Sequence, residues 1–186
     1  MLIRGRTDFE TTRPTYARGG DFCRIFTEDM SSLYRLAFLL TADADTAERC
    51  FVEALEECIR ANRVFEEWAR SWARRAVVQS AIRVTQPTLS GVTPISGRRT
   101  VTLSLAGLEN DTGFAAIFKL DDLERFVFVI VVLEGYSDQD CKILLGRSRE
   151  QIVRARARAI RNIAASGEIR APYADPNVKS LLAQAS

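Results

Sequence analysis

The chain has 186 residues, 47 % of them hydrophobic, with 26 Lys and Arg against 24 Asp and Glu for a net charge of +2. That length holds one domain or two small ones, and that apolar share excludes an intrinsically disordered chain. There is no histidine, and the four cysteines (Cys23, Cys50, Cys58, Cys141) form no CxxC pair; buried, reduced thiols are therefore expected, with no metal and no other cofactor.

Residues 1–20 mix Thr, Arg, Gly and Pro without periodicity and read as an N-terminal tail; with no apolar stretch at the start, no secretory signal is expected. The first periodic segment sets Leu33, Leu36, Ala37 and Leu40 on one helical face. A short turn over residues 41–45 follows, with Asp45 and Glu48 placed to form a capping pair. Ala47, Cys50, Phe51, Ala54, Leu55, Cys58 and Ile59 then keep an i, i+3, i+4, i+7 spacing, which predicts an amphipathic helix with Glu53, Glu56 and Glu57 on its other face. A third helix is expected over residues 65–84, with Phe65, Trp68, Trp72 and Ala76 facing inward. Residues 21–84 thus read as a helical bundle.

Between residues 85 and 117 the composition shifts to Thr, Ser, Gly and Pro, and Pro87, Gly91, Pro94 and Gly97 arrive every few residues, which predicts a flexible linker. Beyond it, residues 121–134 form a segment apolar on all sides, expected as a buried helix stopped by Gly135. Its apolar run is far too short to cross a bilayer, so no membrane insertion and a cytoplasmic location are expected. Ser137 is placed to cap a short helix bearing Cys141, Leu144 and Leu145; Gly146 ends it, and Ser148 with Gln151 forms a capping box for the next helix. Short helix, glycine turn and longer helix together predict a helix-turn-helix in residues 118–165, and residues 166–186 read as a C-terminal tail. The fold class is all-α: two small helical domains joined by the linker.

Charge is unevenly placed. Residues 21–57 carry nine Asp/Glu against three Lys/Arg, whereas residues 147–161 carry six Arg against one Glu. On the last helix Ile152, Ala155, Ala159 and Ile163 share one side. Arg154, Arg158 and Arg161 fall within about 60° of one another on the opposite side. Arginine suits phosphate clamping and bidentate contact with guanine, so Arg147, Arg149, Glu150, Gln151 and Arg154 are the candidates for base edges and nearby phosphates, and Arg158 and Arg161 for the backbone. A solvated charge face is the plain alternative. Trp68 and Trp72 beside Arg70, Arg74 and Arg75 offer either a core pair or an aromatic and basic surface for single-stranded DNA. The carboxylates of the acidic helix have no His or nucleophile beside them, so no enzyme activity is expected.

Three stretches, LYRLAFLLTADADTAERCFVEAL (33–55), FEEWARSWARRAVVQSAIRV (65–84) and FVFVIVVLEGYSDQDCKILLGRSREQIVRARARAI (126–160), resemble the extracytoplasmic-function group of bacterial RNA polymerase sigma factors. The third carries the most specific pattern: an apolar helix, Leu-Glu-Gly and a serine, a Leu-Gly turn and an arginine-rich helix, in that order. The resemblance implies that the first bundle corresponds to sigma region 2 and the helix-turn-helix to region 4. It implies core RNA polymerase as a partner, docked through Glu48, Arg49, Val52 and Glu53. It implies promoter DNA as a second partner, with the −10 element met by Arg74, Arg75 and Gln79 and the −35 element by the last helix, and an anti-sigma factor as a third. Arg49 and Val52 stand where the family usually carries an acid and an amide. A sigma-like protein acting by interaction alone and a stand-alone helix-turn-helix regulator remain as alternatives.

Overall fold

The computed structural model describes residues 15–60, 64–86 and 112–166, and these are all-helical, with eight α-helices and no β-strand among them. The linker core (87–111), most of the N-terminal tail and the C-terminal tail lie outside the described residues.

Helix α1 (Gly19–Glu28) was not expected from the sequence, yet its Phe22, Ile25 and Phe26 are buried at i, i+3 and i+4. The Asp21 carboxylate accepts the Arg18 backbone N–H at 2.9 Å and places negative charge in the first turn, where the helix dipole favours it. Upstream, the tail is partly structured: Ala17 N–H donates to the Val64 carbonyl at 2.8 Å and Glu66 N–H to that of Thr15 at 2.9 Å, with Tyr16 stacked on Phe65 at 4.9 Å.

Helix α2 (Met30–Thr41) buries Leu33, Leu36, Ala37 and Leu40 as expected, and also Phe38 and Leu39. It ends at Ala42, which adopts the left-handed conformation at φ 55°. Helix α3 (Ala44–Arg60) buries Ala47, Cys50, Ala54 and Cys58. Its cap is Asp43 rather than the Asp45 and Glu48 pair, since the Asp43 carboxylate accepts the Thr46 N–H at 2.8 Å. That carboxylate sits three residues before its donor, the spacing an N-cap requires; Asp45 already lies inside the helix.

A 3-10 turn (Glu66–Trp68) leads into α4 (Ala69–Thr85), where the inward face differs from the expected one. Ala69, Ala73, Ala76, Val77, Val78, Ser80 and Ala81 are buried, while Trp68 is 59 % and Trp72 37 % exposed. The cause is close packing of α4 on α3: side chains the size of alanine permit that approach and an indole does not.

The last six residues assigned to the linker, 112–117, lie in α5 (Thr112–Phe118), which buries Ala116 and Ile117. Helix α6 (Asp122–Val127) runs into a π-helical turn (Phe128–Leu133), and the two bury Leu123, Phe126, Val127, Phe128, Val129 and Ile130. Gly135 follows at φ +72°, with Tyr136 N–H reaching back to the Ile130 carbonyl at 3.1 Å. Helices α7 (Asp138–Leu145) and α8 (Arg149–Ala165) complete the described chain.

Helices α1 to α4 pack around one another, and α6, the π-helical turn and α7 pack on α8. The buried apolar side chains of both groups form one contiguous set. The groups meet where Phe118 lies edge-on to Phe38 at 5.1 Å, and where buried Arg125 donates to the Leu40 carbonyl at 3.1 Å. Among the described residues no helix is long and apolar enough to cross a membrane.

Candidate nucleic-acid interface

The arginine-rich surface is built on α7, a tight turn and α8. Ser137 caps α7 by accepting the Asp140 N–H at 3.1 Å. Gly146, at φ +60°, closes it with its N–H on the Lys142 carbonyl. Two residues later Ser148 Oγ accepts the Gln151 N–H at 3.2 Å while Gln151 Oε1 accepts the Ser148 N–H at 3.0 Å, a reciprocal capping box. These caps fix the entry of α8 and therefore the direction of its outer face.

Ile152, Ala155, Ala159 and Ile163 are buried on one side of α8, as the spacing requires. Arg154, Arg158 and Arg161 are exposed on the other, and Arg149 is exposed in the first turn. Arg154 is paired with Glu150 at 2.6 Å, but both side chains are nearly three-quarters exposed, so the pair is worth only about 0.3–0.5 kcal/mol and yields readily to a phosphate. Arg161 projects from the same face one turn on from Arg158.

The other sequence candidates on this element are more tied down. Arg158 Nε lies 2.9 Å from Glu124 Oε1, whose other oxygen accepts the Asn162 amide at 3.0 Å. Burial pushes the Glu124 carboxyl above its ordinary value, and Arg158 opposes that rise. Gln151 commits its carbonyl oxygen to the capping box, so only its NH2 group can face a base. Arg147 is half-buried at the turn. Arg156, which the sequence did not single out, bridges to Asp138 at 2.7 Å and fastens α8 to the start of α7. Its signal was its position: 40° from Ile152 and 100° from Ala155, it lies at the edge of the packed face.

On the first four helices, Arg74, Arg75 and Gln79 are all half-buried on α4. Trp68, Trp72, Arg75 and Gln79 follow one another at helical spacing, so an exposed indole pair adjoins a guanidinium and an amide. Tyr16, Phe65 and Trp68 extend the aromatic surface, with Trp68 edge-on to Phe65 at 5.3 Å. Arg70 is taken up by Glu28 and Asp29, and hydrogen bonds to Asp29 first and Glu28 second raise its pKa. Arg74 forms a bidentate pair with Glu134 and a third bond to Ser32.

The polymerase candidates divide. Glu48, Arg49 and Val52 are exposed on one side of α3, whereas Glu53 turns towards α4 and accepts the Ser80 hydroxyl at 2.8 Å. Among the described residues no group of three or more His, Cys, Asp or Glu side chains could hold a metal ion. Compared with known proteins, the chain matches no family model and no curated sequence significantly.

Proposed function

We propose that this chain is a promoter-recognising transcription protein of the sigma-factor type, with α7, the Gly146 turn and α8 acting as a helix-turn-helix that reads duplex DNA. The observation that carries this reading is the outer face of α8: exposed Arg154 and Arg161, with Arg149 exposed in the first turn, on a helix held rigid by caps and by four buried aliphatic side chains. In the major groove Arg149 and Arg154, near the helix start, meet base edges, and Arg161 meets a phosphate. The exposed Trp68 and Trp72 favour a second contact, in which bases of a single strand stack on the indoles beside Arg75; such stacking is worth roughly 1–3 kcal/mol per base. A duplex reader and a single-strand platform in one chain suit promoter recognition and opening better than they suit a stand-alone regulator. The exposed Glu48, Arg49 and Val52 supply the surface for core polymerase, and an anti-sigma partner fits the same reading.

Run-off transcription with purified core RNA polymerase tests the whole proposal, beside fluorescence anisotropy on duplex DNA across a salt series. Arg154→Ala, Arg161→Ala is the variant of choice, because neither side chain supports the core. Wild type is expected to lose affinity linearly with the logarithm of salt, and the variant to show a slope shallower by about 0.9 per lost phosphate contact. An unchanged slope removes the DNA face. Absence of transcript on every promoter, together with failure to co-purify with core polymerase, removes the sigma-factor reading and leaves a DNA-binding regulator.

A further inference from the structure

Arg74, the α4 arginine assigned to DNA, is already bound in the way a phosphate would bind it. Its Nε donates to Glu134 Oε2 at 2.8 Å and its Nη2 to Glu134 Oε1 at 2.6 Å, a bidentate fork, while Nη1 donates to Ser32 Oγ at 2.9 Å. Glu134 belongs to the other group of helices. It follows the π-helical turn, its N–H is fixed on the Val129 carbonyl at 2.9 Å, and Gly135 turns the chain directly after it. The Glu134 side chain is only 10 % exposed, whereas that of Arg74 keeps 37 % of its surface open, so the pair lies at the protein surface on the Arg74 side. The pair also sits on the boundary between α1–α4 and the later helices, where α4 meets α7.

We propose that Glu134 is an autoinhibitory latch: its carboxylate occupies Arg74 in place of a nucleic-acid phosphate and holds the later helices closed on α4 until a single strand displaces it. The proposal rests on the reading of Arg74 as a DNA ligand. One carboxylate offers Arg74 a single anionic partner. A strand lying beside α4 brings consecutive phosphates to Arg74 and its neighbour Arg75, so it competes through more than one contact at once. Displacement breaks the fork, which is one of the links across the boundary together with the Phe38–Phe118 contact and the Arg125 bond to Leu40. Strand capture and separation of the two groups of helices are thereby coupled, and the coupling is reciprocal.

The test uses the full chain with Glu134→Gln, which keeps the shape of the side chain and removes its charge. Small-angle scattering of the unbound protein reads closure, and anisotropy with a fluorescent single-stranded oligonucleotide reads strand binding. The variant is expected to have a larger radius of gyration than wild type. It is also expected to bind the oligonucleotide roughly five- to tenfold more tightly, with a salt slope steeper by about 0.7. Adding Arg74→Gln should abolish the gain in affinity. Should E134Q fail to fold, the reversed pair Arg74→Glu, Glu134→Arg restores the fork; it is expected to be as compact as wild type and to bind the strand more weakly. A variant E134Q as closed as wild type, or a reversed pair that opens, overturns the latch. Opening without a gain in strand affinity overturns the role of Arg74 in binding. Duplex binding through Arg154 and Arg161, measured in parallel, reports on the helix-turn-helix reading separately, so the two failures are distinguishable.

Discussion

Arg158 on the arginine face of α8 and Glu124 on the buried face of α6 are joined by a 2.9 Å ion pair, with the carboxylate shielded and the guanidinium half-exposed. The pair belongs as much to the core as to the arginine face, and its stability depends on which partner is less solvated. Burial, the largest influence, raises the Glu124 carboxyl above its ordinary value, and Asp121 adds to the rise; Arg158, Asn162 and Arg161 only partly offset this. A carboxyl whose folded pKa lies above its unfolded one favours the fold when protonated. Its contribution is therefore full below the unfolded value and is lost as pH rises through the folded one. Glu124→Gln is expected to make the protein more stable at pH 7 and to flatten its stability between pH 4 and 7. Urea denaturation at several pH values checks this. Equal destabilisation by the substitution at pH 4 and pH 7 would show instead that the ionised pair is net stabilising.

Ala42 closes α2 in the left-handed conformation, at φ 55°, where a Cβ costs about 1–2 kcal/mol and glycine avoids that cost. Ala42→Gly is accordingly expected to stabilise the fold, by about 0.5–1 kcal/mol once the greater freedom of glycine in the unfolded chain is subtracted. At Gly146 the reverse holds: a Cβ would meet open space, so Gly146→Ala costs about 1 kcal/mol through φ +60° alone. Denaturation midpoints read both. A gain at Gly146 or a loss at Ala42 would mean that the turns relax on substitution.

Arg125 is expected to be the most costly side chain to truncate among the charged ones on α6. Its guanidinium is buried and donates to the Leu40 carbonyl at 3.1 Å, the Leu120 carbonyl at 3.3 Å and Asp122 at 2.6 Å. Arg125→Ala leaves the two carbonyls without these donors, at about 1–3 kcal/mol for each buried group. A total loss of about 2–4 kcal/mol is expected by chemical denaturation. Arg125→Lys, with one compact ammonium, should recover only part of it. A loss below 1 kcal/mol would show that water replaces the guanidinium.

The helices best read from the sequence were those whose burial follows simple spacing and whose ends carry side-chain caps. In α8, Ile152, Ala155, Ala159 and Ile163 were placed inward, and Ser148 and Gln151 form the reciprocal cap that their spacing indicates. In α3, Ala47, Cys50, Ala54 and Cys58 of the expected stripe are buried and Phe51 and Leu55 half-buried against the core, but Ile59, in the last turn, is 44 % exposed. Size misled the reading of α4. Large aromatics were assigned to the core, whereas the close α3 and α4 contact selects alanines and leaves the indoles outside. Helix α1 carried a usable signal in Phe22, Ile25 and Phe26, masked by two glycines at its start. The candidate site was legible as a helix face and not as a set of ion pairs. Nothing in the spacing of one helix tells that Arg158 meets Glu124, 34 residues away, or that Arg74 meets Glu134, 60 residues away.

Thiol accessibility gives the last test, because the four cysteines report on both groups of helices. Cys23 is exposed on α1, while Cys50, Cys58 and Cys141 are buried. Burial pushes Cys58 and Cys141 up to about 12 and raises Cys50 as well, so all three stay neutral thiols, which are poor nucleophiles. A disulfide-exchange reagent at pH 8 should label Cys23 rapidly and the other three only as the surrounding helices open, with all four reacting in denaturant. The same pKa values set an alkaline limit. The unfolded thiols ionise near 9.0 while the folded ones do not, so stability falls as pH rises above 9 towards 12. Rapid native labelling of Cys141 would mean that α7 leaves α8 readily, and the turn that positions the arginine face would then not be rigid. Slow labelling of Cys141, at a rate matching Cys50 and Cys58, would show both groups of helices opening together as one cooperative unit.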